Sequence, residues 1–263
     1  MNTNSTFHIG HDHIICEDYA LAGMSAGLAY AVVCDGCSAS PEVDFGARIL
    51  AMSAKRAILI TRENEPNRFG EIIIQNAERI WDVLPHLHKQ ALDCTVLTTW
   101  VEENQLTARL FGDGVFIHKS GNDIYAINMH LTSGAPDYLS YHLDSQRLAM
   151  YKAIKANVKS IETFEIVNGN RNVTSGVTDP FVPITLKRDV KPGDIVTVIS
   201  DGINSFRKSD NTDIDWTDLI EEFTGFKNTE GEFAIRRLAA FKRKCLKEGT
   251  THYDDISIAA IVT

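Results

Sequence analysis

Two apolar segments of the sequence end in an aspartate that is followed by a glycine. Residues 29–34 lead into Asp35, and residues 195–200 lead into Asp201. Each pattern predicts a buried strand that delivers a carboxylate at its end, before a residue that allows a sharp turn. Asp-Gly is also a common turn sequence, but a buried carboxylate is costly unless it is paired or bound to a metal. Two such strand ends therefore suggest a shared cationic site.

Further acidic residues fall at turns beside predicted strands. They are Glu17, Asp18, Asp113, Asp254 and Asp255. Hard divalent cations such as Mg²⁺ and Mn²⁺ favour oxygen ligands, which need to converge only in space. Two cations held in this way can share a water molecule, lower its pKa and direct it at a phosphorus atom. The acidic residues therefore favour a dinuclear metal site.

The elements that must position these carboxylates alternate along the chain. A helix is predicted after Pro41, with Phe45, Ile49 and Met52 at roughly helical spacing. A second helix is predicted over 69–89, with Ile72, Ile73, Ala77, Ile80, Trp81 and Leu84 on its apolar face. Short strands with close turns between 95 and 128 are typical of an antiparallel meander.

The remaining sequence completes a mixed pattern. Helices are predicted over 144–155, 216–223 and 231–247, strand and loop over 158–188, and a final strand over 256–262. The chain shows neither a low-complexity linker nor a repeat at a fixed period. We therefore expect one α+β domain over residues 1–263.

Composition narrows the class of protein. The 263 residues are 44% hydrophobic and 23% charged, with a formal net charge of −9, which argues against a nonspecific nucleic-acid binder. No apolar stretch approaches the ~18 residues that span a membrane, and the polar start does not resemble a signal peptide. Five scattered cysteines are too few for a disulfide scaffold. These features predict a cytoplasmic protein that does not bind a membrane.

One alternative chemistry uses Cys34 and Cys37, which form a C-x-x-C motif between a predicted strand and helix. The motif would suit a thiol–disulfide redox protein or part of a zinc site. It explains none of the other acidic strand ends, and a second C-x-x-C for zinc is missing from the sequence. Cys34 is better explained as a small hydrophobic residue inside its strand.

Two groups of basic residues have simple structural explanations. His8 and His11 are expected on a polar, partly exposed N-terminal strand. The basic residues between Arg236 and Lys247 are expected to form one solvated helix face.

Taken in chain order, the acidic motifs resemble those of the metal-dependent type 2C protein serine/threonine phosphatases (the PPM family). They are Glu17-Asp18, Val33-Cys34-Asp35-Gly36, Gly112-Asp113, Ser200-Asp201-Gly202 and Asp254-Asp255-Ile256-Ser257. Each motif alone is weak, but five in the family's order span nearly the whole chain. The resemblance implies two packed antiparallel β-sheets flanked by helices, with two metal ions, Mn²⁺ or Mg²⁺, at one end of the sandwich.

The resemblance also implies a role for each site residue. Asp35 would bridge the two metals, the Gly36 carbonyl would bind one of them, and Asp201 and Asp254 would complete the direct ligands. Glu17 and Asp18 would act through bound waters, and Asp113 would hold a weaker third metal. The reaction would be direct attack of a metal-bridging water on phosphoserine or phosphothreonine in a protein. The resemblance therefore implies that Asp35 and Asp201 are the central catalytic residues.

Several positions depart from the family pattern. His13 stands where the family usually has an arginine that holds the substrate phosphate, so His13 is a candidate phosphate-binding and catalytic residue. Cys37 stands where a histidine has been assigned as general acid. Asp255 replaces the usual Asn, and Gly114-Val115 replaces Ser-Arg.

These departures leave two functions open. The chain is expected to be a protein phosphatase, with a cognate Ser/Thr kinase acting on the same phosphoprotein. The alternative is a catalytically impaired pseudophosphatase that acts as a regulatory binding module. The segment 130–183 has no clear motif, and by the resemblance it is a candidate mobile flap that sets substrate choice.

Overall fold

The computed structural model describes residues 1–61, 65–131, 136–153 and 158–263. Its strands are β1 (Asn2–His8), β2 (Tyr19–Ser25), β3 (Leu28–Cys34), β4 (Val96–Glu102), β5 (Gln105–Phe111), β6 (Gly114–Ser120), β7 (Asp123–Leu131), β8 (Lys159–Val167), β9 (Asn170–Thr178), β10 (Ile184–Asp189), β11 (Ile195–Ile199), β12 (Phe206–Arg207), β13 (Thr251–His252) and β14 (Ile256–Val262). Its α-helices are α1 (Val43–Thr61), α2 (Pro66–Glu78), α3 (Ser145–Lys152), α4 (Trp216–Thr224) and α5 (Phe233–Glu248). Short 3₁₀ helices cover Arg79–Asp82, Lys89–Leu92, Leu139–Leu143 and Asp201–Ser205.

The described strands form two large antiparallel sheets and one short pair. The first sheet has the order β1-β14-β11-β6-β7-β8-β9, the second has the order β10-β5-β4-β3-β2, and β12 pairs with β13. The predicted meander over 95–128 divides between the sheets, because β4 pairs with β5 and β6 pairs with β7. The change of sheet occurs at Gly112 and Gly114, whose φ values of 97° and 122° suit glycine.

Central strands are buried on both faces, and alternate residues pack into different layers. In β3, Val33 packs between the two sheets and Cys34 packs against the layer that contains α1 and α2. In β14, Ile261 packs between the sheets and Ile258 packs against the layer that contains α4 and α5. The predicted fold of two packed antiparallel sheets flanked by helices is therefore confirmed.

Helix α1 buries alanines together with Leu50 and Ile58, so its large apolar residues only partly identify its buried face. Of the three large residues that mark the predicted helix, Ile49 is buried whereas Phe45 and Met52 are exposed. The face towards the sheet carries Ala47 and other alanines. The helix approaches its neighbour closely, since a Cβ on Gly46 would lie 1.5 Å from the Ala91 carbonyl oxygen.

Helix α2 ends at Glu78, short of the predicted end at residue 89, and a 3₁₀ turn follows it. The predicted burial of Ile73 and Ala77 is confirmed, whereas Leu84 lies beyond the helix and is 45% exposed. The side chain of Trp81 lies outside the described part of the chain.

The remaining predicted elements agree closely with the structure. Helix α3 begins one residue after its predicted start and ends at Lys152, and residues 154–157 lie outside the described part of the chain. The mixed region over 158–188 contains the hairpin of β8 and β9, followed by β10. None of the described helices has both the length and the apolar character needed to cross a membrane. A single domain over residues 1–263 stays a prediction.

Candidate metal centre

The second sheet brings two of the predicted carboxylates side by side. Tyr19 at the start of β2 pairs with Cys34 at the end of β3, so the preceding Asp18 lies opposite the following Asp35. The Asp35 backbone is fixed by Thr95, the residue before β4, because the Asp35 N–H donates to Thr95 Oγ1 at 3.2 Å and the Asp35 carbonyl accepts from the Thr95 N–H at 2.8 Å. Asp18 is 1% exposed, and Asp35 is half-buried.

The first sheet brings three more carboxylates to the same end of the sandwich. Ile199 at the end of β11 pairs with Val115 on one side and with Ile258 on the other. This register places Asp201 opposite Asp113, which precedes β6. Asp254, two residues before β14, lies close enough for the charge of Asp201 to raise its pKa. We call Asp18, Asp35, Asp113, Asp201 and Asp254 the acidic cluster.

Two glycines allow the close backbone approaches around the acidic cluster. A Cβ on Gly36 would lie 2.8 Å from Val43 Cβ and 2.9 Å from the Glu17 carbonyl oxygen. A Cβ on Gly202 would lie 1.8 Å from the Asp255 carbonyl oxygen. The glycine after each aspartate thus serves as more than a turn residue, because neighbouring atoms already occupy the space of any larger side chain.

The carboxylates of the acidic cluster act on one another across the two sheets. Burial, followed by the charges of Asp18 and Asp201, raises the pKa of Asp35 well above its usual range. Burial and the charge of Asp201 raise the pKa of Asp113 to about 8 and that of Asp254 to about 6. Burial raises the pKa of Asp18 to about 7. Like charges are therefore concentrated at this end of the sandwich.

The acidic cluster fits a divalent cation. Both carboxylate oxygens of Asp18 and Oδ1 of Asp201 are buried and make no hydrogen bond of normal geometry to the described residues, although Ser200 and Ser257 lie close enough to Asp18 to oppose the rise in its pKa. An all-oxygen set of this kind suits Mg²⁺ or Mn²⁺, and a bound cation would offset the mutual repulsion. The donor set thus matches the ions that the sequence predicts.

Beside the acidic cluster, His13 is held among carboxylates. Its Nδ1 lies 3.0 Å from Asp255 Oδ2 and 3.9 Å from Glu17 Oε2, and its Nε2 lies 3.4 Å from Asp254 Oδ1. Burial lowers the pKa of His13, but the contact with Asp255 and the charges of Asp255, Asp254 and Glu17 outweigh burial and raise it overall. The structure thus favours a protonated imidazole beside the acidic cluster.

Asp255 organises the loop that carries His13. Its Oδ1 accepts the Gly10 N–H at 2.7 Å, and its Oδ2 accepts the Glu17 N–H at 2.5 Å. Ligand atoms of His13, Glu17 and Asp255 lie within 4.8 Å of one another, as in some metal sites. Because Asp255 already accepts two backbone N–H groups and contacts His13, this trio is better explained as an ion-paired anchor.

Sequence reasoning did not find several residues around the acidic cluster. Ser38 Oγ donates to Glu17 Oε2 at 2.6 Å, and it follows Asp35 closely enough for its position to have suggested a role. The ammonium of Lys159, which is 1% exposed, donates to the Val182 carbonyl at 3.0 Å, and its charge opposes the rise in the pKa of Asp113. Lys159 lies at the start of a strand without a motif, so no local signal indicates it.

The buried carboxylate of Asp93 connects the helical part of 130–183 to the loop after Asp35. Asp93, 3% exposed, accepts Ser40 Oγ at 2.8 Å, Ser140 Oγ at 2.6 Å and an Arg147 guanidinium N–H at 2.6 Å. Its carbonyl also accepts the Cys37 N–H at 2.8 Å. The segment therefore contacts the site, as expected, whereas its mobility stays a prediction.

The thiol chemistry suggested by the C-x-x-C motif receives no support from the geometry. Cys34 and Cys37 are both free, and Cys34 is fully buried. Burial raises the pKa of the Cys34 thiol well above its usual value, which is the opposite of what a reactive thiolate needs. Cys34 therefore packs as a small hydrophobic residue, as predicted.

Comparisons with known proteins agree with this architecture. The chain resembles the serine/threonine phosphatase of S. agalactiae at 15% identity, over 99% of both chains, with a TM-score of 0.54. It resembles the PPM Ser-Thr phosphatase MsPP from Mycobacterium smegmatis, solved with cacodylate, at 13% identity over 100% of this chain and 98% of MsPP, with a TM-score of 0.54. It resembles the catalytic domain of PstP, solved with two manganese ions, at 14% identity over 99% of this chain and 97% of PstP, with a TM-score of 0.50.

These identities are low, so the structural likenesses establish the fold alone. No curated protein matches the chain. A family model described as protein phosphatase 2C matches residues 6–241, which include His13 and four members of the acidic cluster. Because the match covers most of its length, the chain belongs to the protein phosphatase 2C family.

Proposed function

We propose that this chain is a metal-dependent phosphatase that hydrolyses phosphoserine and phosphothreonine in proteins. The observation that carries the proposal is the convergence of the acidic cluster from both sheets, with buried oxygens on Asp18 and Asp201 that make no hydrogen bond of normal geometry to the described residues. The cationic side chains that act on the five carboxylates include His13 and Lys159, and the pKa values of Asp113 and Asp254 remain raised, which argues against a purely structural role. Membership of the family supports the reaction class.

The residues of the site divide into direct and indirect metal ligands. Asp35 would lie between two ions, the Gly36 carbonyl would bind one of them, and Asp201 and Asp254 would complete the direct set. Glu17 and Asp18 would hold the ions through water, and Asp113 would offer a weaker third position. When bound, two such ions supply Lewis acidity and a water of lowered pKa. The two manganese ions in PstP support Mn²⁺ as the first metal to test.

The chain's own contribution to substrate binding centres on His13. The surrounding carboxylates favour its protonated form, which donates hydrogen bonds to a phosphate group. A guanidinium would offer a fixed fork for two phosphate oxygens, whereas an imidazolium offers two donors that point apart. His13 therefore orients the phosphate less rigidly than arginine would, and Asp255 fixes the loop from which it acts.

The substrate would be a phosphorylated protein, and a cognate Ser/Thr kinase would add the phosphate group that this chain removes. The helical part of 130–183, joined to the site through Asp93, would contribute to substrate choice. Five free cysteines fit the reduced, cytoplasmic setting that the sequence predicts.

Hydrolysis of a phosphothreonine peptide in Mn²⁺ tests this function. The wild-type chain should release phosphate only with added metal, and Asp35→Asn should lower kcat by about 10³-fold because a metal contributes several kcal/mol to the transition state. Asp218→Asn, which changes an exposed carboxylate in the first turn of α4, is the matched control and should keep full activity.

Calorimetric Mn²⁺ titration separates this function from the alternative. Tight, Asp35-dependent Mn²⁺ binding without turnover on any phosphopeptide would favour the pseudophosphatase. If the chain neither bound Mn²⁺ nor hydrolysed a phosphopeptide, both functions would be contradicted.

A further inference from the structure

An apolar groove lies on the side of the molecule between β1, β13 and α5. Its volume is about 530 Å³, and its walls include Phe206, Leu238, Ala239, Cys245 and Leu246. Leu246 is 83% exposed although it lines a concave apolar surface. Pockets of roughly 300–1,000 Å³ with apolar walls and a few polar groups are typical small-molecule sites.

Three basic side chains meet in this groove. The Lys242 ammonium donates to Nε2 of His8, whose Nδ1 lies 2.7 Å from the Ile9 carbonyl oxygen. The Nε2 of His252 lies 3.1 Å from the same carbonyl oxygen. With Lys242 as donor, the His8 ring is neutral and donates its Nδ1 proton to Ile9. With His8 neutral, the half-buried positive charge at this place is that of Lys242, and the exposed Arg243 adds a second charge to the groove lining.

The Lys242 charge lacks a carboxylate partner in the part of the chain that the structure describes. Burial lowers the pKa of Lys242, and no nearby acidic group raises it. Lys244 on the same helix shows the contrast, because it donates to Glu222 Oε1 at 2.7 Å and this contact raises its pKa. The prediction of one solvated basic face over 236–247 is thus wrong at Lys242, whose ammonium is half-buried in the groove.

We propose that the groove binds a small amphipathic carboxylic acid, with its carboxylate on Lys242 and its apolar chain along Leu238, Ala239 and Leu246. An incoming carboxylate would supply the missing partner of the ammonium, as Glu222 does for Lys244. The apolar chain would cover wall residues that are otherwise exposed to water. The site is separate from the acidic cluster and does not depend on the proposed phosphatase activity.

The groove is linked to the candidate metal centre through the backbone. The Ile9 carbonyl, which both imidazoles approach, precedes Gly10, and the Gly10 N–H donates to Asp255. A ligand on Lys242 would therefore be connected, through His8 and the Ile9 carbonyl, to the base of the loop that carries His13. Slower hydrogen exchange of the Gly10 amide is the expected local signature of its binding.

Titration calorimetry with decanoate and its uncharged analogue decanol tests the site in the full chain. Decanoate should bind with one site per chain and at least about tenfold more tightly than decanol, because only the carboxylate pairs with Lys242. Lys242→Met keeps the apolar stem and should remove most of this preference, with Arg243 in the groove lining responsible for any remainder. Lys247→Met, on an exposed lysine outside the groove lining, is the matched control and should keep it.

A second variant guards against loss of folding as an explanation. Ala239→Phe fills the groove without touching the charge, and it should weaken decanoate and decanol alike while circular dichroism stays that of the wild type. Equal binding of the two ligands, or full decanoate affinity in Lys242→Met, would overturn the proposal. Absence of decanoate binding would also contradict the proposal. So would a dimer of the wild-type chain that Ala239→Phe dissociates, because a second copy of the chain would then occupy the groove.

Discussion

Strand β11 carries an aspartate near each end, and the two aspartates have opposite surroundings. Before the strand, Asp194 is 3% exposed, and its Oδ2 accepts the Lys191 N–H at 2.9 Å and lies 3.0 Å from Nε2 of the buried His118. After the strand, Asp201 belongs to the acidic cluster, and its buried Oδ1 has no partner among the described residues. Burial alone therefore does not distinguish a structural carboxylate from a functional one.

The pKa directions express the same difference. Burial raises the pKa of Asp194, but the Lys191 N–H, Ser120 and His118 outweigh burial and lower it overall. In the acidic cluster, burial and neighbouring negative charges both raise the pKa of Asp113. The fold thus compensates the carboxylate at one end of β11 with hydrogen-bond donors and leaves like charges together at the other end.

Replacing each aspartate by alanine should give the largest difference between the two ends of β11, in the free energy of unfolding and in phosphatase activity. Asp194→Ala leaves His118 buried without its partner and should lower the free energy of unfolding by about 3–5 kcal/mol. Asp201→Ala should leave the stability of the metal-free chain unchanged or raised, because a source of repulsion is removed, while phosphatase activity falls by about 10³-fold. Urea unfolding in EDTA and peptide turnover in Mn²⁺ measure the two effects.

The control for that comparison is Asp189→Ala, which changes an exposed carboxylate at the end of β10 and should alter both quantities little. The comparison would fail if Asp201→Ala destabilised the metal-free chain as strongly as Asp194→Ala does. Asp201 would then be a structural carboxylate like Asp194.

The pH dependence of stability provides a second, smaller test. In metal-free protein, Asp18, Asp113 and Asp254 have folded-state pKa values of about 7, 8 and 6, above the unfolded value of about 3.9. The folded state then binds more protons than the unfolded state, so stability should increase as the pH falls from 8 to 6. The slope is up to about 1.4 kcal/mol per pH unit for each such group.

The opposite sign applies to Asp194. Its folded-state pKa is lowered, so its contribution is present above the unfolded value of about 3.9 and is lost as the pH falls below it. Thermal unfolding in EDTA between pH 8 and 3 records both signs in one series. Saturating Mn²⁺ should remove the increase in stability between pH 8 and 6. An increase that persists with Mn²⁺ would argue against metal binding by Asp18, Asp113 and Asp254.

Site residues with a local sequence signal could be predicted, whereas those defined by contacts between distant parts of the chain could not. Asp35 and Asp201 carry a local signal, because an apolar strand runs directly into Asp-Gly, and the structure brings both to one end of the sandwich. The partners of Asp255 include Gly10, near the other end of the chain, and the pairing exists only after β1 and β14 have joined. Lys159 and Lys242 look like ordinary surface lysines in sequence, since their burial depends entirely on tertiary packing.

The fold shows the same division between local and nonlocal information. The final strand over 256–262 has its predicted bounds because every residue in it is buried and apolar or small. The meander over 95–128 has its predicted strands, but their distribution over two sheets depends on the backbone at Gly112 and Gly114. Periodicity identifies a strand, whereas the choice of sheet is made by packing.

The surroundings of Asp255 share features with those of both Asp194 and Asp201. Its pair with His13 gives the smallest and most discriminating prediction. Like Asp194, Asp255 is buried, accepts backbone N–H groups and contacts a histidine. Unlike Asp194, it adjoins the acidic cluster. In Asp255→Asn the amide can accept only one of the two N–H groups of Gly10 and Glu17, so stability should fall by about 1–2 kcal/mol and amide exchange at one of them should accelerate.

A double-mutant cycle with His13→Arg separates anchoring from substrate binding. With Asp255 present, a guanidinium at position 13 should pair with that carboxylate and leave KM for a phosphothreonine peptide within about threefold of the wild type. With Asp255→Asn the guanidinium is released towards the phosphate, and KM should fall, giving a coupling of about 1 kcal/mol in kcat/KM. Additive effects would mean that Asp255 does not restrain residue 13. His13 would then bind phosphate independently of the carboxylate that anchors its loop.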